Sequence, residues 1–453
     1  MGTRRRAGKD HRVIISRQDV DERLGALSVA ARWGNGAAAT EAMAGAGPEL
    51  WLAVDEAVRR WWKLPGGQRP AEIVLRALSR DGYIRETAIA DTGRLDERLA
   101  LPVLAIRAAD WVPQVREAAR RACLSHLARD PMAALTLLPI ASRLRRRAHG
   151  EWLAATLGET LARTPEVLTA ALVSPERLTR RAAYATGGLG PGRLKAGLRD
   201  ADLPIRLSCA KALAGSEDPE VRQLLRTSGT AALRALAIRN RDDALAALTD
   251  RSSLVRAHAQ LALRRGGEDP AVHYRKVPGA DAVAGLGETG TDSDAPALLP
   301  FLGHERPGVR AETIRALRRL RCIPRTELVA LLVADPAPRV ARQAMLSLLG
   351  CAELIDERTL LDLLDGDRRH LAHRLLCARD TWTRVVVDLR LALDPAQPLR
   401  ENALRDLRNW LTHQSARSYT SPGGTRAGEL AQLVARAEPL LGARQVRHLR
   451  MFL

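Results

Sequence analysis

The sequence predicts an all-α fold, an α-solenoid of about 11–12 helical-hairpin repeats with a helical cap at each end. A skeleton recurs along the chain, and its clearest copy is Val115–Leu124, VREAARRACL. An aliphatic residue is followed by Arg, two variable positions and a small residue, with a further apolar residue four positions on. Copies lie about 30 residues apart, the length of a helical hairpin. Apolar residues make up 46% of the chain but aromatic residues only 3%, and small apolar side chains suit closely packed helices.

Nine copies keep this skeleton, and two more are degenerate. The degenerate copies are Val340-Ala341, which lacks the Arg, and Arg368-Arg369. A gap of 54 residues between Arg256 and Arg310 corresponds to two units with a worn copy between them. The other copies are Ile84-Arg85, Val115-Arg116, Leu144-Arg145, Thr179-Arg180, Ile205-Arg206, Leu233-Arg234, Val255-Arg256, Val309-Arg310 and Leu399-Arg400.

The turns between helices carry Asp, Pro or Gly, residues that end a helix or begin the next one. Asp at such a position is expected to accept hydrogen bonds from the free amides of the following helix. These turns are Asp81-Gly82, Asp110, Ser174-Pro175, Asp202–Pro204, Asp218-Pro219, Asp250, Pro307-Gly308, Asp335-Pro336 and Asp394-Pro395.

Composition divides the chain into seven predicted segments. They are a basic N-terminal arm (1–16), an N-terminal helical cap (17–69), the first half of the repeats (70–265), a degenerate repeat or bend (266–300), the second half of the repeats (301–413), a polar linker (414–428) and a C-terminal helical cap (429–453). The N-terminal cap holds Trp33, Trp51, Trp61 and Trp62, which we expect to close the end of the stack; the alternative is a ligand- or base-stacking platform. The C-terminal cap has an apolar stripe of Leu430, Leu433, Val434, Leu440 and Leu441.

The charge balance favours an anionic partner. The formal net charge is +19, from 71 basic and 52 acidic residues, and only five of the basic residues are Lys. Such a surplus suits nucleic acid, an acidic protein or a membrane surface. No apolar stretch approaches the length of a membrane span. The five cysteines are all separated by more than three residues, which indicates reduced thiols of a cytoplasmic protein rather than a metal knuckle or redox pair.

The Asp–turn–Val-Arg skeleton resembles the short HEAT repeat, the bacterial type also found in phycobilisome-lyase-like proteins. The best copies are D110-WVPQ-VREAARRACL, D202-LP-IRLSCAKAL and P307-G-VRAETIRAL, and the resemblance covers about three quarters of the chain. It implies antiparallel helix pairs in which the Val-Arg helix is the second and lines a concave face. It also implies that the skeleton Arg is structural and binds the Asp or a carbonyl of an adjacent turn. We expect this of Arg85, Arg116, Arg206, Arg256 and Arg310.

One exposed position of the skeleton is enriched in basic residues. The position six after the aliphatic residue lies at about 240° around the helix, opposite the buried stripe. Six of its eleven occupants are basic and none is acidic. With the family's orientation they would form a basic ladder along the groove; the alternative is a solvated face of an Arg-rich protein. The ladder is Arg121, Lys211, Arg239, Arg315, Arg374 and Arg405, and Arg120, Arg146, Arg147, Arg181, Arg318 and Arg319 would widen it.

These patterns favour a non-enzymatic scaffold or adaptor that binds an acidic protein surface or segment along a basic concave groove. The predicted binding residues are Arg121, Lys211, Arg239, Arg315, Arg374, Arg405, Arg146, Arg147 and Arg181. The alternative is a solenoid that contacts the phosphate backbone of DNA or RNA. Oligomeric state leaves no signal in the sequence.

Enzyme hypotheses have weaker motifs. HEAT-fold DNA glycosylases use Trp and Asp in a basic groove, and Asp110 with Trp111 is compatible with that chemistry, although we expect Trp111 and Trp152 to pack in the core. The di-iron HEAT hydroxylases need several His-Glu pairs, and only His304-Glu305 is present. His370 and His373 lack a matching carboxylate set, so we predict no metal site, no cofactor and no catalytic residues.

Overall fold

The computed structural model of the protein describes residues 15–33, 36–60, 66–395, 398–418 and 420–453. Throughout these residues the regular structure is helical and no strand is present, which confirms the all-α prediction. The predicted arm lies almost wholly outside the described residues, as do Trp61 and Trp62. By its contacts the chain divides into two compact units, Met1–Ala237 and Ile238–Leu453.

The first unit holds helices α1 to α15. They are α1 (Arg17–Trp33), α2 (Gly36–Ala42), α3 (Pro48–Val58), α4 (Pro70–Ala77), α5 (Gly82–Ala90), α6 (Glu97–Arg107), α7 (Pro113–Arg129), α8 (Ala134–Leu144), α9 (Glu151–Arg163), α10 (Pro165–Leu172), α11 (Arg177–Ala185), α12 (Pro191–Gly197), α13 (Leu203–Ala212), α14 (Pro219–Arg226) and α15 (Ala231–Leu236).

The second unit holds helices α16 to α30. They are α16 (Arg241–Ala247), α17 (Ser253–Arg265), α18 (Pro270–Tyr274), α19 (Val283–Thr289), α20 (Ala295–Leu298), α21 (Pro307–Arg319), α22 (Arg325–Ala334), α23 (Pro338–Leu348), α24 (Glu357–Leu364), α25 (Arg369–Arg379), α26 (Thr381–Leu393), α27 (Arg400–His413), α28 (Gly424–Arg436), α29 (Glu438–Leu441) and α30 (Ala443–Arg450).

Within each unit, helices stack in rows on the next helix but one. In the first unit α4, α6 and α8 pack in sequence, α5 packs on α7, and α11, α13 and α15 form a further row. In the second unit α21, α23 and α25 do the same. Contact between a helix and the next but one is the arrangement of an α-solenoid, since each repeat buries its apolar face against its neighbours. The predicted fold class is therefore confirmed.

The buried face of the repeat helices is the stripe that the skeleton predicts. Val115, Ala119 and Cys123 lie four residues apart on α7, and all three are fully buried, because this spacing keeps side chains on one helix face. Ile205 and Cys209 repeat the pattern on α13. Both cysteines are free thiols. Burial raises the pKa of the Cys123 thiol to about 12 and that of Cys209 to about 11, so both stay protonated and unreactive.

The skeleton Arg joins the turn before its own helix to the turn of the next repeat. Arg180 donates through Nη1 to the carbonyls of Ser174 (2.8 Å) and Pro175 (3.1 Å). Its Nε and Nη2 donate to the two carboxylate oxygens of Asp200, at 2.9 and 3.2 Å. Asp200 in turn accepts the Asp202 amide at 2.7 Å. One guanidinium thus satisfies carbonyls that helix geometry leaves open and binds the neighbouring repeat in a two-pronged ion pair.

The carbonyl contacts of this arrangement, which we call the Arg clamp, recur along the chain, and in several copies a carboxylate of the next repeat is bound as well. Five skeleton Arg residues were predicted to be structural. Each donates to the carbonyl of the residue six positions before it, and four of them also donate to the carbonyl five positions before. The prediction is therefore confirmed. These five residues are Arg85, Arg116, Arg206, Arg256 and Arg310. The turn carboxylates accept following amides as expected at Asp81, Asp110, Asp218, Asp250 and Asp335. At Asp202 the side chain instead binds Arg181.

In the copy that lacks the Arg, another residue donates to the turn carbonyls. At Val340-Ala341 no guanidinium is available from the skeleton position. Arg368, twenty-odd residues later and just before α25, donates instead to the carbonyls of Leu332 and Asp335 and to that of Leu331 at 3.3 Å. The Asp335 turn therefore keeps its clamp, with the Arg supplied by the following repeat.

The prediction that a repeat helix begins at Leu144-Arg145 is wrong. Leu144 is the last residue of α8, and the next helix, α9, begins at Glu151. Gly150 explains the break, because a Cβ at this position would lie 1.8 Å from the Leu144 carbonyl oxygen. Only glycine lets the chain fold back this closely. Arg146 and Arg147 consequently lie in the turn between helices rather than on a helix face.

The weakest part of the array contains short helices held by close backbone approach. Gly285 and Gly287 lie on α19, which packs against α21. A Cβ on Gly285 would meet the Tyr274 ring at 2.0 Å, and one on Gly287 would meet the Ala316 Cβ at 2.4 Å. The shortened unit of 266–300 is thus compact because its glycines remove the side chains that would separate the helices.

Bulky side chains gather near the C-terminus. Trp382 and Trp410 are buried, with ring centroids 6.0 Å apart in an edge-to-face arrangement. The predicted stripe of 429–453 packs into the same cluster, with Leu430, Val434 and Leu441 buried and Leu440 partly buried. In the N-terminal region Trp51 is buried, whereas Trp33 is 80% exposed.

Candidate partner-binding surface

Two of the predicted ladder residues in the first unit are exposed and unpaired. Arg121 lies on α7 and Lys211 near the end of α13, each six residues after a buried aliphatic residue. Neither side chain has an ion-pair or hydrogen-bond partner among the described residues. Both point away from the buried stripe because 600° of helical rotation brings the sixth residue to the opposite side.

The second unit repeats this arrangement with Arg374 on α25 and Arg405 on α27. Both side chains are exposed. Arg374 has no partner among the residues that the structure describes, and Arg405 donates to the neutral side chain of Asn402 at 2.7 Å. Neither charge is neutralised by a carboxylate in the described part of the chain. We call Arg121 and Lys211 with Arg374 and Arg405 the register-six cations.

The remaining ladder residues are engaged or displaced. Arg315 is half-buried on α21 and forms an ion pair with Glu312, one turn earlier. Arg239 lies beyond the end of α15, so the helical angle used to place it does not apply there. Its amide donates to Asp243 at 3.1 Å. These two positions therefore differ from the register-six cations in surroundings.

The residues predicted to widen the ladder also differ among themselves. Arg181 binds Asp202 with bonds of 2.9 and 3.2 Å and is half-buried. Arg120 donates to the carbonyls of Ala108 and His149 and stacks on Trp152 at 4.7 Å. Arg146 and Arg147 are exposed in the turn after α8. Internal contacts thus occupy Arg120 and Arg181, and solvent surrounds the other two.

Arg85 and Arg107 form a buried ion-pair network with Asp55 and Asp110. Arg107 is fully buried and binds Asp55 and, at 2.9 Å, Asp110 Oδ2. Burial lowers the pKa of Arg107 to about 10, an effect that the adjacent Asp55 carboxylate partly offsets. Arg85 donates to Asp110 Oδ1 at 2.8 Å. The two cations and two carboxylates pair with one another inside the protein and are not exposed to a ligand.

The geometry of Asp110 and Trp111 removes the glycosylase hypothesis for this pair. Both Asp110 oxygens are engaged by arginines, and the side chain is buried, so no oxygen is open to assist the loss of a base. The expectation that Trp111 packs in the core is wrong, because its side chain is 58% exposed. It lies instead under the guanidiniums of Arg59 and Arg85, 4.4 and 4.5 Å from the ring centroid. These cation–π contacts hold the ring over the buried network. Trp152 is half-buried against the core, as predicted.

Sequence reasoning missed one cluster. His373 is buried, and its Nε2 lies 2.7 Å from Asp388 Oδ1, fifteen residues away on α26. The two histidines were expected to lack a matching set of carboxylates, and the structure places one carboxylate, Asp388, beside His373. Cys377 Sγ lies 3.3 Å from His373 Nε2. Burial raises the pKa of Asp388 to about 6, although its hydrogen bond with His373 opposes the rise. His370 is exposed and stands apart. The spacing of His373 and Cys377, one helical turn apart, was the available signal.

The described helices and their cation pattern define the class of this protein as an all-α helical-repeat protein. In the described ranges no helix has both the length and the apolar character that crossing a membrane requires.

Comparisons with known proteins add no argument to this class. No protein-family model matches the sequence, and no curated protein sequence matches it. Solved structures of the karyopherin Kap121p are similar: the form bound to Ste12p has a TM-score of 0.31 at 13% identity, covering 95% of this chain and 52% of that one. The form bound to Pho4p has a TM-score of 0.30 at 12% identity, covering 97% and 54%. The chain thus spans about half the length of these structures, and likeness at this level says nothing of function.

Proposed function

We propose that this chain is a non-enzymatic scaffold of the short HEAT-repeat type, and that it binds an acidic protein segment through the register-six cations. The observation that carries the proposal is the contrast between two kinds of basic residue. The skeleton Arg residues of the clamp donate to carbonyls of the preceding turn, and Arg180, Arg256 and Arg310 also bind a carboxylate through two bonds. Arg121, Lys211, Arg374 and Arg405 occupy the same register, are exposed and have no carboxylate partner among the described residues.

The membership in the short HEAT family is part of this proposal. The Arg clamp supports it, since the resemblance implies a skeleton Arg that binds the turn Asp and carbonyls, and Arg180 and Arg310 do so. The resemblance also implies that the helices carrying the register-six cations line the concave side of each unit. A basic surface on repeated helices suits an extended ligand, because equivalent side chains recur at each repeat.

An acidic protein segment matches these cations better than a compact ligand would. Exposed guanidiniums bind carboxylates through planar, two-pronged hydrogen bonds, and each one left without an internal partner loses no existing ion pair when it binds. The second hypothesis, binding to nucleic-acid phosphates, uses the same cations and is separated by experiment.

The test is direct binding of the full chain to two fluorescent probes, an acidic peptide rich in Glu and Asp and a DNA duplex of random sequence. We expect the peptide to bind more tightly than DNA at physiological salt. Arg121→Glu with Lys211→Glu should weaken peptide binding at least tenfold, and Arg374→Glu with Arg405→Glu should do the same. The matched control, Arg163→Glu with Arg265→Glu, changes net charge equally at exposed positions outside the register and should leave affinity within twofold.

Two results would overturn the proposal. Equal weakening by the control pair would show that net charge alone governs binding. Preference for DNA, with log affinity falling linearly with log salt and a slope that decreases in the register-six variants, would establish the nucleic-acid hypothesis instead. Capture of partners from the native host, with nuclease treatment as a control, would then identify the ligand.

A further inference from the structure

The His373 cluster brings three different metal-ligating groups together. His373 and Cys377 lie one turn apart on α25, so both side chains project from one helix face. α26 packs against α25 and supplies Asp388. The imidazole nitrogen, the thiol sulfur and a carboxylate oxygen all lie within 4.8 Å of one another. These three groups belong to different chemical types, and none of them takes part in the clamp or the register-six surface.

The cluster is buried and incompletely satisfied. Asp388 is fully buried and His373 nearly so. Asp388 Oδ1 accepts from His373, but Oδ2 accepts no hydrogen bond from any described donor. A buried carboxylate oxygen without a donor costs free energy in a folded protein. A carboxylate oxygen without a donor, beside an imidazole and a thiol, is placed where it can bind a metal ion.

The neighbouring charges leave the cluster with a negative balance. Arg384 lies one helical turn before Asp388 on α26, and it binds Asp406 with two bonds of 2.7 Å. Asp406 itself lies beside Asp388. Arg384 and Asp406 therefore neutralise each other, and the Asp388 carboxylate together with a Cys377 thiolate would be balanced by one divalent cation.

We propose that His373, Cys377 and Asp388 form a binding site for Zn²⁺. Nitrogen, thiolate sulfur and carboxylate oxygen are all ligands that Zn²⁺ takes in tetrahedral sites, at about 2.0–2.3 Å. Ligand atoms around such an ion stand about 3.3–3.6 Å apart by tetrahedral geometry. The 3.3 Å separation of Cys377 Sγ from His373 Nε2 fits this already. The 2.7 Å contact of His373 with Asp388 opens by about half an ångström as Zn²⁺ replaces the hydrogen bond.

Binding has a defined proton balance and a structural consequence. The Cys377 thiol loses its proton to solvent when Zn²⁺ binds, because the thiolate is the ligand. His373 binds as a neutral imidazole through Nε2, and the proton that Nε2 donates to Asp388 in the metal-free protein moves through solvent to Nδ1. Three protein ligands leave the fourth tetrahedral position to water. The bound ion joins α25 to α26, so it stabilises the second unit.

The test uses Co²⁺ as a spectroscopic probe of the full chain after treatment with a chelator. We expect one equivalent of Co²⁺ to give the near-ultraviolet thiolate charge-transfer band and visible bands of tetrahedral Co²⁺, and Zn²⁺ to displace it. Cys377→Ser should abolish the charge-transfer band, and Asp388→Asn should weaken binding at least tenfold. The matched control, Cys351→Ser, removes another half-buried thiol of the same unit and should change neither.

A second measurement needs no substitution. Zn²⁺ should slow the alkylation of Cys377 in the unaltered protein, followed residue by residue by mass spectrometry, and leave that of Cys322 and Cys351 unchanged. Absence of a thiolate band in the unaltered protein, or equal protection of all three thiols, would refute the site and leave His373 and Asp388 as a structural hydrogen-bonded pair.

Discussion

Arg310 binds Asp335 through two parallel hydrogen bonds, 2.7 Å from Nε and 2.9 Å from Nη2, across 25 residues of sequence. The same guanidinium donates to the carbonyls of His304 and Glu305 in the turn before its own helix. Asp335 accepts the Ala337 amide at the start of the next repeat helix. One side chain therefore ties together the beginnings of two successive repeats.

Replacing Arg310 by Ala should lower the stability of the second unit. The change leaves the nearly buried Asp335 carboxylate without its two-pronged partner and two turn carbonyls without a donor, and we expect a loss of about 2–3 kcal/mol. Calorimetry of the full chain would show a lower unfolding temperature. Arg374→Ala, which removes an exposed and unpaired Arg from the same unit, should leave that temperature nearly unchanged; a comparable drop would mean that the clamp has no special role.

Acid should remove the stabilisation that the carboxylates of the clamps provide. Burial raises the pKa of Asp335, but the bonds from Arg310 and the Ala337 amide outweigh it, so the folded pKa lies below the ordinary value. A carboxyl with a lowered folded pKa contributes stability that is fully present above its unfolded pKa of about 4 and is lost as pH falls through the folded pKa. Unfolding temperatures should therefore fall below about pH 4. Asp335→Asn should be less stable at neutral pH but lose less on acidification; an unchanged acid slope would contradict this origin.

Asp110 is the residue of the first unit whose loss should be most damaging. Its two oxygens bind the fully buried Arg85 and Arg107. Asp110→Asn leaves these two cations with one buried carboxylate, Asp55, and breaking a buried pair costs about 3–5 kcal/mol. The control is Asp21→Asn, at an exposed ion pair with Arg17, where we expect a change below about 0.5 kcal/mol. Chemical unfolding followed by circular dichroism measures both.

Two glycine substitutions should have opposite effects. A Cβ on Gly287 meets the Ala316 Cβ at 2.4 Å and its Cα at 2.6 Å, so Gly287→Ala forces α19 away from α21 and should cost about 1–3 kcal/mol. Gly158 lies inside α9 with open space around its Cβ position. Gly158→Ala should therefore raise stability by about 0.5–1 kcal/mol by reducing the freedom of the unfolded chain. Stabilisation by both substitutions would show that the approach of α19 to α21 is looser than described.

The sequence predicted best what depends on local periodicity. The burial of Val115, Ala119 and Cys123 and the clamp role of Arg310 both follow from positions within one helix and its preceding turn. Leu144 was misplaced because the skeleton matches there by composition, while Gly150, the residue that breaks the helix, was counted as a helical position. The contact of His373 with Asp388 was missed because it joins two helices through packing, which no spacing within one helix reveals.

The surroundings of the ladder residues were predicted only in part, because periodicity within one helix does not show which neighbours a side chain meets. The angle of 100° per residue places Arg121 and Arg374 correctly on exposed faces, because their helices run through those positions. It cannot apply to Arg239, where the helix has ended. It also says nothing of Glu312, which lies one turn from Arg315 and neutralises it. Exposure follows from periodicity, whereas pairing depends on the neighbour that each side chain meets.

The Arg clamp has a consequence for how such a chain changes in length. Several of these Arg residues bind a carboxylate of the following repeat, as Arg180 binds Asp200 and Arg310 binds Asp335. Duplication or deletion of one whole period leaves each such cation facing an equivalent anion, so the array can grow or shorten without leaving a buried charge unpaired. An insertion of any other length would move the Arg of one repeat away from the carboxylate of the next. We therefore expect length changes in such arrays to come in whole repeats.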